Sequence, residues 1–202
     1  DSDGGAWRHR TQNTSWYNET LNTSTRGATK KFPSVAVIAL ETNKTTIYDG
    51  DDPDMPMWMT FINAGSGSGI MLGENANKCV ISLNGIIAVG SAPHDFYVVN
   101  FIKDNGGQYS NNSAISGYFK GNIAQRNVTT MGFNVGTLPN ILSRTINDVA
   151  MTVLPNAPID ADTGLPVPTI AVATNGGVSV IKDDGTVVDI VSSYLGHETP
   201  MQ

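Results

Sequence analysis

The chain has 202 residues, 40% of them hydrophobic and only 15% charged, against a usual charged share of about 25%. Twelve Lys and Arg against 18 Asp and Glu leave a net charge of −6, which argues against a binder of the phosphate backbone, whose footprint is basic. A single Cys rules out a disulfide framework within the chain and any Cys-based zinc site.

Taken in chain order, the sequence starts at Asp1 with neither a Met nor an apolar leader. That start is expected of a processed chain or of an interior section of a longer polypeptide. Asp1 to Trp7, DSDGGAW, is near the Asp-box turn Ser-x-Asp-x-Gly-x-x-Trp of sialidase-type propellers. It has Asp1 in place of Ser and one residue too few before Trp7, and an Asp-box is itself a folding feature. Residues 7–31 are polar and carry Arg8, Arg10, Arg26, Lys30 and Lys31 together with Trp7, Trp16 and Tyr17. They follow neither strand nor helix periodicity, and long irregular segments in a β body serve contacts or act as linkers. The expectation is that residues 1–31 end a preceding β-repeat and that residues 7–31 pack on an adjacent subunit, with the two Trp as anchors. A polar linker is the plainer alternative. Residues 32–202 then form a repeat-β body.

Within that body the apolar runs are short and β-branched: SVAVIAL, KCVISL, GIIAVG, FYVVNFI, TIAVAT, VSVI and TVVDIV. Each is bounded by Gly, Asn, Asp or Pro, which is the strand signal. Asn84-Gly85, Asn105-Gly106, Asn175-Gly176 and Asp184-Gly185 read as hairpin turns, because these pairs adopt positive φ at low steric cost. One helix candidate competes. LPNILSRTINDVAMTVL has Pro139 in a possible first turn and Leu142, Ile146 and Val149 at helical spacing, weakened by its β-branched residues and Asn147-Asp148. MPMWMTF, Met55 to Phe61, is dense enough in apolar volume to read as core or sheet-interface packing. An exposed aromatic platform for a sugar is the alternative.

A hairpin recurs. Val35–Asp52, Ile87–Gly106 and Ile170–Gly185 each open on an aliphatic-Ala-Val start, with Ala36, Ala88 and Ala171 aligned. Each then has a polar turn and an Ile-(Tyr/Lys)-Asp triplet, at Ile47, Ile102 and Ile181. Length differences fall in the first turn, as a structural repeat tolerates. Small Ala among Val and Ile lets a neighbouring sheet approach closely. The expected fold class is all-β, of repeated hairpins in β-propeller-like blades, with a β-sandwich as alternative. At roughly 40 to 50 residues per blade the chain would cover about four or five.

Chemistry-bearing motifs are sparse. DGDDPD (Asp49 to Asp54) and DADTG (Asp160 to Gly164) gather carboxylates. Neither has the Glu that closes an EF-hand loop at its twelfth position, and solvated Asx-turns account for both. His9, His94 and His197 show no ligand spacing, and Cys79 reads as a small buried hydrophobe. Gly65 to Gly69, GSGSG, lacks the Gly-Lys-Ser/Thr ending of a phosphate loop. No Gly-x-Ser-x-Gly elbow places a nucleophile. Asn13, Asn18, Asn22, Asn43, Asn111 and Asn127 lie in glycosylation sequons, which composition alone produces. No catalytic, cofactor-binding or metal-ligating residue is assigned, and no cofactor is expected.

Three stretches carry a resemblance: Asp1 to Ile38; TIYDGDDPDMPMWMTF; and INDVAMTVLPNAPIDADTGLPVPTIAVATNGGVSVIKDDGTVVDI. They resemble segments of large, repeat-containing virion proteins, of tail or fibre type, from marine tailed bacteriophages. The resemblance spans nearly the whole chain. It implies a non-enzymatic structural protein of the virion, in the tail or its fibres, with a repeat-β body. The implied partners are other virion subunits, in a homo-oligomer, with no nucleic acid and no membrane. A host-surface glycan-binding module for attachment is the alternative reading, and a propeller-type glycosidase or lyase a third.

Overall fold

The computed structural model describes residues 6–62, 70–73, 77–161 and 163–191. The chain is all-β, in three antiparallel sheets, none of them closed into a barrel. The first comprises β1 (Ala36–Glu41), β2 (Lys44–Asp49) and β3 (Met57–Ile62). The second orders β4 (Asn77–Leu83), β5 (Ile86–Ser91), β6 (Phe96–Asn100), β7 (Asn105–Tyr109), β8 (Gly117–Phe119) and β9 (Phe133–Val135). The third orders β10 (Ile146–Thr152), β11 (Thr169–Thr174), β12 (Gly177–Ile181) and β13 (Val187–Ile190). Every sheet is a meander in which each strand pairs with the next. All seven β-branched runs of the sequence are strands.

The three recurring stretches are antiparallel hairpins, with Ala36 opposite Asp49, Ala88 opposite Val98 and Ala171 opposite Val180. The triplet that follows is not structurally equivalent. Ile47 pairs with Ile38 within β2 and Ile181 with Ile170 at the end of β12, but Ile102 sits in the turn after β6. Strand number also varies from sheet to sheet. The hairpin is what repeats; among the three sheets only β10–β13 has the four-stranded form of a blade.

Strand alternation places the second sheet in the middle of a stack. Ile87, Val89, Tyr97 and Val99 join one hydrophobic cluster, with Ile47, Met59 and Phe61 of the first sheet. Their strand neighbours Ala88, Phe96 and Val98 point the other way, into a second cluster with Ile146, Val149, Ile170, Val172 and Ile181 of the third sheet. The middle sheet is thus covered on both faces. Gly90 lets the third sheet come close: a Cβ there would lie 2.5 Å from both Cys79 Sγ and Ile146 Cγ2.

The start of the chain corrects one expectation. Trp16 is fully buried, in edge-on contact with Trp58 and Phe101 at 5.4 and 5.7 Å. Its indole N–H donates to the Phe101 carbonyl at 2.7 Å. It anchors this chain's own core and not a neighbouring subunit, because its ring is buried among Trp58 and Phe101 and its one N–H is satisfied there. Residues 1–5 of the Asp-box-like stretch, and the side chain of Trp7, lie outside what is described. The helix candidate is strand β10 instead. A bulge between Ile146 and Asp148 puts Ile146 and Val149 on one face at an odd spacing, which imitates helical period. Asn84-Gly85 has positive φ at both residues, 52° and 69°, as a two-residue hairpin turn requires. Asn105-Gly106, in contrast, opens β7. The turn closes earlier, over Asp104 at φ 54°, because the Asn100 carboxamide accepts from the N–H groups of Ile102 and Lys103.

Candidate functional site

Buried ionic groups are the natural place to look for chemistry, and here they bind backbone. Arg126 is buried and donates to both carboxylate oxygens of Glu19, at 3.0 and 2.8 Å. It also donates to the carbonyls of Thr60, Thr25 and Ile123. Arg26, equally buried, donates to the Trp58 carbonyl at 2.8 Å and lies 4.7 Å from that residue's ring centroid. Burial pulls its guanidinium down to about 10, against the opposing pull of Glu19. Asp95 is fully buried and takes two bonds from Arg144, at 2.8 and 3.0 Å, and one from Gln108. Asp104 accepts from the Ser15 N–H and hydroxyl and from the Ile123 N–H. Each cluster fastens a loop to a sheet.

The acidic turns behave likewise. The two Asp51 oxygens accept from the N–H groups of Ser34 and Val35, Asp49 from Asp51, and Asp52 from Asp54. The Asp49 and Asp52 bonds are Asx turns, and those of Asp51 tie the turn to the start of β1. Asp160 pairs with Lys103 and accepts from the Thr163 N–H; Asp162 is outside the described residues. Among the described residues no three His, Cys, Asp or Glu are grouped to hold a metal. His9 is exposed and His94 half-buried, far apart in the fold, while His197 and GSGSG lie outside what is described. Cys79 is half-buried at the margin of the second cluster. Its thiol is pushed up, first by burial and then by Asp148, so it is not a poised nucleophile. Trp58, Met59 and Phe61 of the MPMWMTF cluster are buried, so they are packing residues and not a sugar platform.

Two surfaces remain. One is a cleft of about 320 Å³ between the second and third sheets, with Tyr109 and Tyr118 on one wall and Lys182 to Gly185 on the other. Its floor dips at Gly107, opposite Tyr118. The three acids and two lysines lining it include the ion pairs Lys103–Asp160 and Lys182–Asp184, so it carries no cationic field.

The other is the outer face of the third sheet. The register aligns Ala150, Ala171, Val180 and Val188 in one row across all four strands. A second row runs Ala173, Val178 and Ile190. None of these belongs to the cluster beneath the sheet. Val188 and Ile190 are 48% and 58% exposed. This face was legible in the sequence as the other phase of IAVAT, VSVI and VVDI, but only the stack shows that no other sheet of the described residues covers it. Comparison with protein-family models, with curated proteins and with solved structures finds no match.

Proposed function

We propose that the chain is a non-enzymatic structural protein of a bacteriophage virion, in the tail or its fibres, that assembles through subunit contacts. The observation that carries this reading is the aliphatic outer face of the third sheet, which no other sheet among the described residues covers, since contiguous exposed apolar surface marks an interaction site. The stacked body supports it, for among the described residues the buried ionic groups Arg26, Arg126 and Asp95 are taken up in fixing loops. The resemblance of the long segments above supplies the virion setting. The test is mass spectrometry of purified particles. Peptides of this chain should appear there in stoichiometric amount, and their absence from intact particles overturns the reading.

The cleft favours a second reading, attachment to a host-surface glycan. Tyr118 is 45% exposed, and pockets of ~300–1,000 Å³ with a few polar groups are the usual form of small-ligand sites. A panel of neutral oligosaccharides tested against Tyr118→Ala separates the two: specific binding lost in the variant supports attachment, and no binding leaves assembly alone. A glycosidase or lyase would need a paired-carboxylate centre, and two of the acids at the cleft are held in ion pairs with lysines.

A further inference from the structure

The cleft between the second and third sheets is a wedge left by their unequal widths. One row across the middle sheet runs Ala88, Val98, Gly107 and Tyr118. Ala88 and Val98 belong to the cluster shared with the third sheet, whereas Gly107 and Tyr118 run on into the cleft. The polar side chains that line it divide into two sets. Lys103 is paired with Asp160 and Lys182 with Asp184, and the Asn100 carboxamide accepts from two backbone N–H groups. The side chains of Asn105, Tyr109, Tyr118 and Asp183 make no hydrogen bond or ion pair among the described residues. Asn105, Tyr109 and Asp183 are half-buried, and polar groups withdrawn from water normally find partners within the chain. Four without partners on one cleft form a site whose ligand supplies the bonds.

We infer that the cleft holds a sugar residue bearing a free amine, with the protonated amine on the Asp183 carboxylate and the ring against Tyr118. Two phenols and a carboxamide offer both donors and acceptors, the mixture that a hydroxyl-rich ligand needs. Burial pushes the Tyr109 phenol up, with Tyr118 adding to the effect, so Tyr109 keeps its proton and remains a donor. Asp183 is different in kind. An ionised carboxylate only accepts, and among the three acids and two lysines of the cleft it is the acid left without a cation. A protonated amine supplies that missing charge and three donors, and a charge-assisted bond is roughly twice as strong as a neutral one. Tyrosine rings attract cations as well. The segment that builds this wall, from Thr145 onward, holds acids and a single cation, Lys182, so its field draws a cationic ligand in and repels an acidic sugar.

This inference rests on the glycan-attachment reading above and names the ligand's class. Its test is calorimetric titration of the full chain with a short oligomer of glucosamine and with its N-acetylated counterpart, which keeps the ring and its hydroxyls but loses the charge. Asp183→Asn removes the carboxylate's charge at constant shape, Tyr118→Ala removes the ring, and thermal melts show that each variant is folded. The wild type should bind the glucosamine oligomer at least about tenfold more tightly than the N-acetylated one. Asp183→Asn should abolish that preference while leaving the weaker N-acetylated binding in place, and Tyr118→Ala should weaken both. Equal binding of the two oligomers, or a preference that survives Asp183→Asn, overturns the amine contact while the attachment reading stands. Tri-lysine bound as tightly as the glucosamine oligomer overturns the sugar and leaves a site for any ammonium group. Binding of neither oligomer overturns both the inference and attachment through this cleft.

Discussion

The two interfaces of the stack join the same kind of hairpin by different means. Between the first and second sheets the space is wide and filled with aromatic volume: Trp16, Phe32, Trp58, Phe61 and Phe101 pack edge to face. Arg26 and Arg126 seal that packing from above Trp58 and Phe61. Between the second and third sheets the space is narrow, with Ala88 and Gly90 facing Ile146 and Val172, and one ionic pair, Asp95–Arg144, at its edge. Wide interfaces gain from the 150–250 Å² that each aromatic buries, and they need polar groups to satisfy the loops that supply them. Narrow ones gain from close packing and tolerate no added atom. A repeated unit can therefore be stacked at two spacings without changing its strands.

The comparison can be broken from the wide side first. Trp16→Ala removes the centre of the aromatic cluster and the bond to Phe101, and should cost about 3–5 kcal/mol, read as a shift in the urea midpoint. A smaller loss would mean that the cluster is peripheral to stability. Arg144→Ala leaves the Asp95 carboxylate buried without its cation and should cost about 3 kcal/mol by the same measurement. Gly90→Ala sharpens the contrast. Its Cβ has no room between Cys79 and Ile146, so a loss of about 1–3 kcal/mol is expected. A neutral result would show that the second interface is looser than drawn.

The smallest effect concerns a turn at the outer edge of the narrow interface. The Thr186 hydroxyl and N–H hold the exposed Asp184 carboxyl down at about 2. Because the folded value lies below the ordinary one, this contribution to stability is present above the ordinary carboxylate range and is lost as pH falls through about 2. Thr186→Val should move the Asp184 titration upward, as followed by carboxyl ¹³C NMR, and lower the melting temperature slightly at neutral pH, a difference that closes as pH falls through about 2. A titration that does not move would remove the hydroxyl as the cause.

Much of the architecture was legible because the strands obey local chemistry. Val-Ile-Ala runs and Asn-Gly turns determine conformation within a few residues, and Ala36, Ala88 and Ala171 correctly marked three hairpins. What misled was anything that depends on distant partners. The Ile146–Val149 spacing reads as helix until the bulge is seen. Asn105-Gly106 reads as a turn until the Asn100 carboxamide claims the residues before it. Trp16 reads as a contact for another molecule until Phe101, far along the chain, supplies its acceptor. The outer aliphatic rows were visible as sequence phase, but their being uncovered is a property of how many sheets the stack contains.

The bond from Trp16 to Phe101 spans 85 positions, and this has a consequence for synthesis. Trp16 leaves the ribosome well before its acceptor is made, so that bond waits on the first sheet and the first three strands of the second. Closing so long a loop is slow relative to local hairpin formation.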